Sequence, residues 1–173
     1  MKNTFLLVFL ALGLASCGDQ KKDLITGKWQ AISLENEQLD KDLAEKEKCM
    51  DTVGQHTTPE MNMALYGMPN VDTIKSIIRA QIDEARMVQQ YTLEHTIFEF
   101  RKDKVAVLSF GSHPDSANWY FDDEGALILD DMAMKGAGDK TKMDIVTLSD
   151  TLLKLRYTED GITSTATFKP MKN

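Results

Sequence analysis

The second half of the chain alternates apolar and polar residues in short runs, with turn-forming residues between the runs. These runs lie between about residues 93 and 169, and a further one around residues 27–34 precedes them. A period of two is typical of strands that bury one face, and short turns join antiparallel neighbours. A meander of about eight strands can close on itself and leave no open edge. We therefore predict a mainly β, eight-stranded up-and-down barrel.

Residues from about 37 to 92 interrupt this pattern with helical spacing, which predicts a helical insertion between strands 1 and 2. Within it, Thr58 is a cap residue in front of Pro59, and Gly67 is a typical helix end. A longer amphipathic helix is predicted from about residue 71. Its apolar stripe consists of Val71, Ile74, Ile77, Ile78, Ile82, Ala85 and Val88.

The amino terminus carries a separate signal. Lys2 precedes an apolar run, Phe5 to Leu14, which is too short to span a bilayer and has the layout of a secretory signal. Leu-Ala-Ser-Cys at residues 14–17 resembles the lipobox of bacterial lipoproteins, which implies cleavage before Cys17 and acylation of Cys17. We expect residues 1–16 to be a signal peptide, 17–23 a lipidated cysteine with a polar tether, and 24–173 the folded domain.

This resemblance implies attachment to a membrane of the bacterial cell envelope through acyl chains on Cys17, with the outer membrane favoured over the inner. The net charge of −7 argues against nucleic acid, which needs clustered Lys or Arg. With Cys17 acylated, Cys49 would have no cysteine to pair with. We expect Cys49 to be a small apolar residue, with a reactive or intermolecular thiol as the alternative.

Gly27-Lys28-Trp29 opens the folded domain and resembles the lipocalin signature, in which the tryptophan closes the floor of the barrel. The order of the segments 98–104, 118–121, 127–129, 146–155 and 166–169 is similar to lipocalin-like domains of bacterial lipoproteins. The resemblance covers residues 24–36 and 93–170 and implies that Gly27 and Trp29 are structural residues of the barrel floor. The lipocalin Thr-Asp-Tyr motif is not visible and the helical block is larger than the usual hairpin, so no ligand is carried over.

An eight-stranded barrel is just wide enough to hold one small ligand. Side chains on the expected inner face are the candidate lining of such a cavity, and the small ones, Ser164 and Ala166, would leave space. The candidates are Phe98, Phe100, Trp119, Phe121, Leu153, Leu155, Ser164 and Ala166. We expect non-enzymatic binding of a small apolar or amphipathic ligand in the barrel.

A second function also fits the sequence, that of a protein-interaction lipoprotein such as an envelope-assembly accessory factor or an inhibitor. Its docking surface would be the acidic face or the methionine-rich helices. Methionine forms an adaptable apolar surface that suits a docking groove or a lid over a cavity, although the favoured interpretation is that these residues pack the helices onto the barrel wall. The methionines in or near the helical block are Met50, Met61, Met63, Met68 and Met87.

No catalytic, metal or cofactor site is predicted. His56, His95 and His113 lack the close spacing of zinc ligands. Residues 112–115 place a serine, a histidine and an aspartate in one loop, where they rarely converge on a site. The acidic residues 122–124 lack the pattern of a calcium loop, so a plain hairpin turn is favoured. We therefore expect that the protein is not an enzyme.

Overall fold

The computed structural model describes residues 16–172 except 112, 132–135 and 137. Apart from Ser16, the predicted signal peptide lies outside the described residues. The helices are α1 (Ser16–Ile25), α2 (Glu37–Thr52), α3 (Pro59–Tyr66) and α4 (Val71–Glu94). The strands are β1 (Gly27–Asn36), β2 (Ile97–Phe100), β3 (Val105–Phe110), β4 (His113–Phe121), β5 (Leu127–Asp130), β6 (Lys140–Leu148), β7 (Leu153–Glu159) and β8 (Ile162–Pro170).

The eight strands form a closed antiparallel barrel in sequence order, and β8 pairs with β1 to complete it. Trp29 on β1 is in register with Phe98 on β2 and with Pro170 on β8. The predicted up-and-down barrel with a helical insertion between the first two strands is confirmed. Closure pairs every strand on both sides, so the sheet has no free edge.

Alternation places one face of each strand in a shared core. On β7, Leu153 and Leu155 are fully buried, and on β8 the buried positions are Ser164, Ala166 and Phe168. The core cluster includes side chains from all eight strands. Burial of this apolar surface is the main driving force that stabilises the barrel.

The up-and-down course of the strands gives the barrel two ends. At the lower end, β1 begins and the turns at residues 101–104, 122–126 and 149–152 reverse the chain. Helix α1 precedes β1 at this end, so the segment predicted as a polar tether has a helical backbone. It is held there because Ile25, its last residue, is fully buried in the barrel core.

Residues 37–94, which we call the helical insert, connect the end of β1 to the start of β2 at the upper end of the barrel. Local signals define its helices. The Asn36 side chain accepts from the Leu39 N–H at the start of α2, and Thr58 accepts from Met61 N–H at the start of α3. Helix α3 ends at Gly67, which has a left-handed φ of 70°. The predicted start and end of this short helix are confirmed.

The long stripe predicted on α4 is only partly covered. Ile74 and Ile82 are buried, whereas Ile77 and Val88 are exposed. The reason is that α4 contacts α2, α3 and β1, which cover only part of its circumference. Helix periodicity identified the apolar side chains but not how many neighbours would cover them.

Candidate functional site

The side chains predicted to line a barrel cavity do converge in the barrel core. Seven of the eight are buried, and Phe121 is partly buried against the same cluster. The aromatic rings contact one another: ring centroids are 4.7 Å apart for Phe98 and Phe168, and 5.7 Å apart for Phe100 and Trp119. Such distances are those of packed aromatic pairs. These packed rings therefore occupy part of the barrel interior.

Ser164 has a structural contact that its small size alone did not suggest. The Asn36 side-chain amide donates to the Ser164 hydroxyl over 3.0 Å. The carbonyl oxygen of the same Asn36 side chain caps α2 by accepting from Leu39 N–H. Ser164 thus fixes the residue at which the chain leaves the barrel for the helical insert.

Gly27 and Trp29 lie at the lower end, next to α1. Gly27 has a φ of 137°, a backbone conformation that other residues rarely adopt, and this lets the chain turn from α1 into β1. Trp29 is 2% exposed, and its indole N–H donates to the Ile25 carbonyl over 2.7 Å. The Gly-X-Trp segment therefore joins α1 to the barrel.

A cleft of about 300 Å³ lies outside the barrel, between α2, α3 and α4. We call it the insert cleft. Its apolar wall is formed by Met68, Ile74, Ile77 and Ile78. Cys49, a half-buried free thiol, completes this wall from α2. The sequence pattern does not predict this cleft, although Met68 belongs to the methionine-rich helical block and Ile74, Ile77 and Ile78 belong to the α4 stripe.

Three polar side chains also line the insert cleft: Lys46, Tyr66 and Gln81. Lys46 on α2 donates to the Gln81 side-chain oxygen on α4 over 3.4 Å. Within the described residues, Lys46 has no carboxylate at salt-bridge distance. The cleft therefore combines an apolar wall with a cationic group.

The loop after α2 passes close to the start of α4. Gly54, in the loop after α2, has a φ of 79° and lies against the side chain of Val71 at the start of α4. A Cβ at this position would clash with that side chain. The short helix α3 then begins at Pro59, and the chain after it places Tyr66 and Met68 at the cleft.

A second cleft, of about 440 Å³, lies at the lower end between α1, the turn at residues 122–126 and strand β6. Lys142 at this cleft forms ion pairs with Asp122, at 3.0 Å, and with Glu124. The hydrogen bond from Lys142 is the main cause that lowers the pKa of the Asp122 carboxyl, and hydrogen bonds to Glu124 and Asp122 raise the pKa of Lys142. Lys142 is therefore already paired within the chain, and Lys21 and Asp144 also line this second cleft.

The acidic turn at residues 122–124 is stabilised by hydrogen bonds within the turn. The Asp122 carboxylate accepts from the backbone N–H groups of Glu124 and Ala126, at 3.0 and 2.8 Å. In the part of the chain that the structure describes, no three His, Cys, Asp or Glu side chains are grouped to hold a metal ion. Ser112 and the His113 side chain lie outside the described residues.

His95 contacts Tyr91 instead of a polar cluster. Its Nδ1 lies 2.8 Å from the Tyr91 carbonyl, and the two rings stack with centroids 4.1 Å apart.

Among the helices of residues 16–172 that the structure describes, none has the length and apolar character needed to cross a bilayer.

Comparison with protein-family models, curated proteins and solved structures finds no match to this chain. A barrel fold alone does not define an activity. The function of this protein must therefore be inferred from the chemistry of its clefts.

Proposed function

We propose that the protein is a lipid-anchored envelope protein that binds a small amphipathic ligand without catalysing a reaction. The observation that carries this proposal is the insert cleft, about 300 Å³ in volume, with an apolar wall and a few polar groups. Small-molecule sites in proteins have this size and this character. In this proposal the barrel is the scaffold and the helical insert holds the ligand.

The barrel interior expected from the sequence is the competing location for the same class of ligand. It has less support, because Phe98, Phe100, Trp119 and Phe168 already contact one another there. A ligand in the barrel would have to displace these packed rings, whereas the insert cleft needs no such rearrangement.

Acylation of Cys17 is part of the proposal. The helical rise from residue 17 to residue 25 is about 12 Å, and Ile25 is fixed in the core. An anchor at Cys17 would therefore hold the lower end of the barrel near the bilayer and leave the helical insert on the far side. Replacing the sulfur by a hydroxyl in Cys17→Ser should release the protein from the envelope fraction into the soluble fraction. Continued pelleting with envelopes would contradict the anchor.

Ligand binding is tested by displacement titration of a fluorescent fatty acid on the Cys17→Ser form. Ile77→Gln, which changes the cleft wall at an exposed position, should weaken binding about five-fold through lost apolar contact. Val88→Gln is the matched control, because Val88 is exposed on the same helix but does not line the cleft.

The outcomes separate the two locations. Absence of saturable binding would contradict the proposal altogether. Binding that Ile77→Gln leaves unchanged, but that Phe121→Leu weakens, would return the ligand to the barrel interior.

Protein interaction is the second candidate function, and the exposed apolar side chains of the helical insert favour it. Leu65 and Met87 are 64% and 73% exposed, and Met63 and Val88 are also more than half exposed. Large exposed apolar side chains of this kind are found at protein interfaces. Crosslinking in the native membrane should then capture a stoichiometric envelope protein, and Met87→Ser should abolish its capture while Ile77→Gln retains it.

A further inference from the structure

The insert cleft contains a charged group that its apolar wall does not explain. Lys46 lines the cleft together with Gln81 and Tyr66, and no Asp or Glu is among the lining residues. We infer that the insert cleft selects amphipaths whose head group is anionic, with Lys46 as the residue that recognises this head group. This inference rests on the proposed function, because it names the ligand class of the same site.

The contacts of Lys46 leave it able to bind an anion. Within the described part of the chain, the Lys46 ammonium group makes one hydrogen bond, to the Gln81 side chain. This bond is long at 3.4 Å and therefore weak. An ammonium group has three donors, so at least two remain for a ligand. The carboxylate of Glu47, the next residue on α2, is paired with Arg86.

The second cleft provides the contrast. Lys142, at its edge, is paired with Asp122 and Glu124, so an anionic ligand there would compete with two carboxylates of the chain. In the insert cleft the ammonium has only a neutral amide as its partner. Lys21 also lines the second cleft, but so do the carboxylates of Glu124 and Asp144, which repel an anion. No Asp or Glu lines the insert cleft, so only there does the lysine stand without an opposing carboxylate in the lining.

The volume of the insert cleft limits the length of the ligand's apolar chain. A water molecule occupies about 30 Å³ in the liquid and a methylene group is of similar size, so 300 Å³ accommodates roughly ten carbons. Met68, Ile74, Ile77 and Ile78 would contact this chain while the head group reaches Lys46. The structure therefore fits a single-chain amphipath of medium length.

Because the protein is acidic overall, a preference for anionic over cationic ligands would point to a local positive group at the cleft. The chain has a net charge of −7, so long-range attraction alone would favour a cationic amphipath. A preference for an anion must therefore come from a local group at the cleft.

The test compares four probes with the same ten-carbon chain: decanoate, decyl phosphate, 1-decanol and decyltrimethylammonium. Affinities are measured on the Cys17→Ser form. The rate at which a thiol reagent labels Cys49 reports whether the probe occupies the cleft, because Cys49 lines it. Both anions should slow this labelling and should bind about five-fold more tightly than decanol, the gain expected of an exposed ion pair.

Lys46→Gln should reduce the affinity for both anions to that for decanol and leave decanol binding unchanged. Lys48→Gln, which removes an exposed lysine of the same helix that does not line the cleft, should leave all four affinities unchanged. The relative affinities of the two anions then distinguish a carboxylate from a phosphate head group.

Two results would overturn the inference while leaving the proposed function in place: equal affinity for decanoate and decanol, or an anion preference that Lys46→Gln does not change. Failure of all four probes to bind or to slow the labelling of Cys49 would overturn the proposed function as well.

Discussion

The barrel and the helical insert bury their apolar side chains to very different extents. The barrel core is shared by all eight strands and includes fully buried Phe100 and Phe168. The insert spans residues 37–94, but its buried side chains are few: Val53, Asn62, Ile74 and Ile82. The barrel therefore has its own core, whereas the insert is a thin helical layer that leaves apolar side chains exposed.

Polar and apolar contacts attach the insert to the upper end of the barrel, where Leu93 of α4 packs against the barrel core. The Gln30 side-chain nitrogen lies 3.1 Å from the carbonyl oxygens of Leu93, Glu94 and Thr96, and its two N–H groups are shared among these three acceptors. Regions with few buried contacts open locally at lower free energy than the core of a protein. Binding sites are often found in such regions, and this agrees with a ligand site in the insert.

The largest expected effect comes from the barrel core. Phe100→Ala should lower the free energy of unfolding by about 3–5 kcal/mol, because it removes a fully buried ring and leaves a cavity. Urea unfolding measures this change. Met63→Ala, at an exposed position of the insert, should change it by less than about 0.5 kcal/mol. A cost below about 1 kcal/mol for Phe100→Ala would mean that the barrel core is not tightly packed.

A smaller and more local effect is expected in the insert. Ile82→Ala removes a buried side chain of α4 and should cost about 2 kcal/mol, at the low end for such changes because the layer is thin. Amide hydrogen exchange should become faster in α2 and α4 and stay unchanged in the strands. Equal acceleration in both regions would show that the insert and the barrel unfold as one unit.

The hydrogen bond that attaches α1 to the barrel should contribute about 1 kcal/mol to the free energy of docking α1. Trp29→Phe keeps an aromatic ring in the core but removes the hydrogen bond to the Ile25 carbonyl. Amide exchange in α1 should then accelerate. Trp119→Phe removes a different indole hydrogen bond, to the Arg101 carbonyl, and should leave α1 unchanged. If both variants affect α1 alike, the Trp29 contact is not what holds it.

The smallest effect is a pH dependence at the lower end. The pKa of Asp122 is lowered, mainly because Lys142 donates to it, so its contribution to stability is lost as the pH falls through this lowered pKa. The pKa of Lys142 is raised by Glu124 and Asp122, so its contribution is lost as the pH rises through the raised pKa. Lys142→Met should lower Tm slightly at neutral pH and not in acid, where the carboxylates are protonated. A Tm difference that persists unchanged in acid would contradict this pairing.

Local patterns predicted much of this fold. Alternation predicted the strands, and Thr58, Pro59 and Gly67 predicted the bounds of α3, because caps and turn residues act over a few positions. Helix α1 was not predicted, since residues 18–23 are polar and the contact that holds the helix, from Trp29 to Ile25, is tertiary.

The candidate site could not be predicted in the same way. The hydrogen bond from Asn36 to Ser164 joins residues that are 128 positions apart in sequence. The insert cleft likewise needs three helices packed around it, and spacing along one helix does not show where the next helix will lie. Alternation did place the barrel side chains on the inner face, but it could not show how closely Phe98 and Phe168 would pack.

The most direct test of the account is the position of bound decanoate, measured by methyl chemical-shift changes in the Cys17→Ser form. The account predicts changes at the methyl groups of Ile74, Ile77 and Ile78, which line the insert cleft, and none at Leu153 and Leu155 in the barrel core. Changes confined to the two barrel leucines would contradict it.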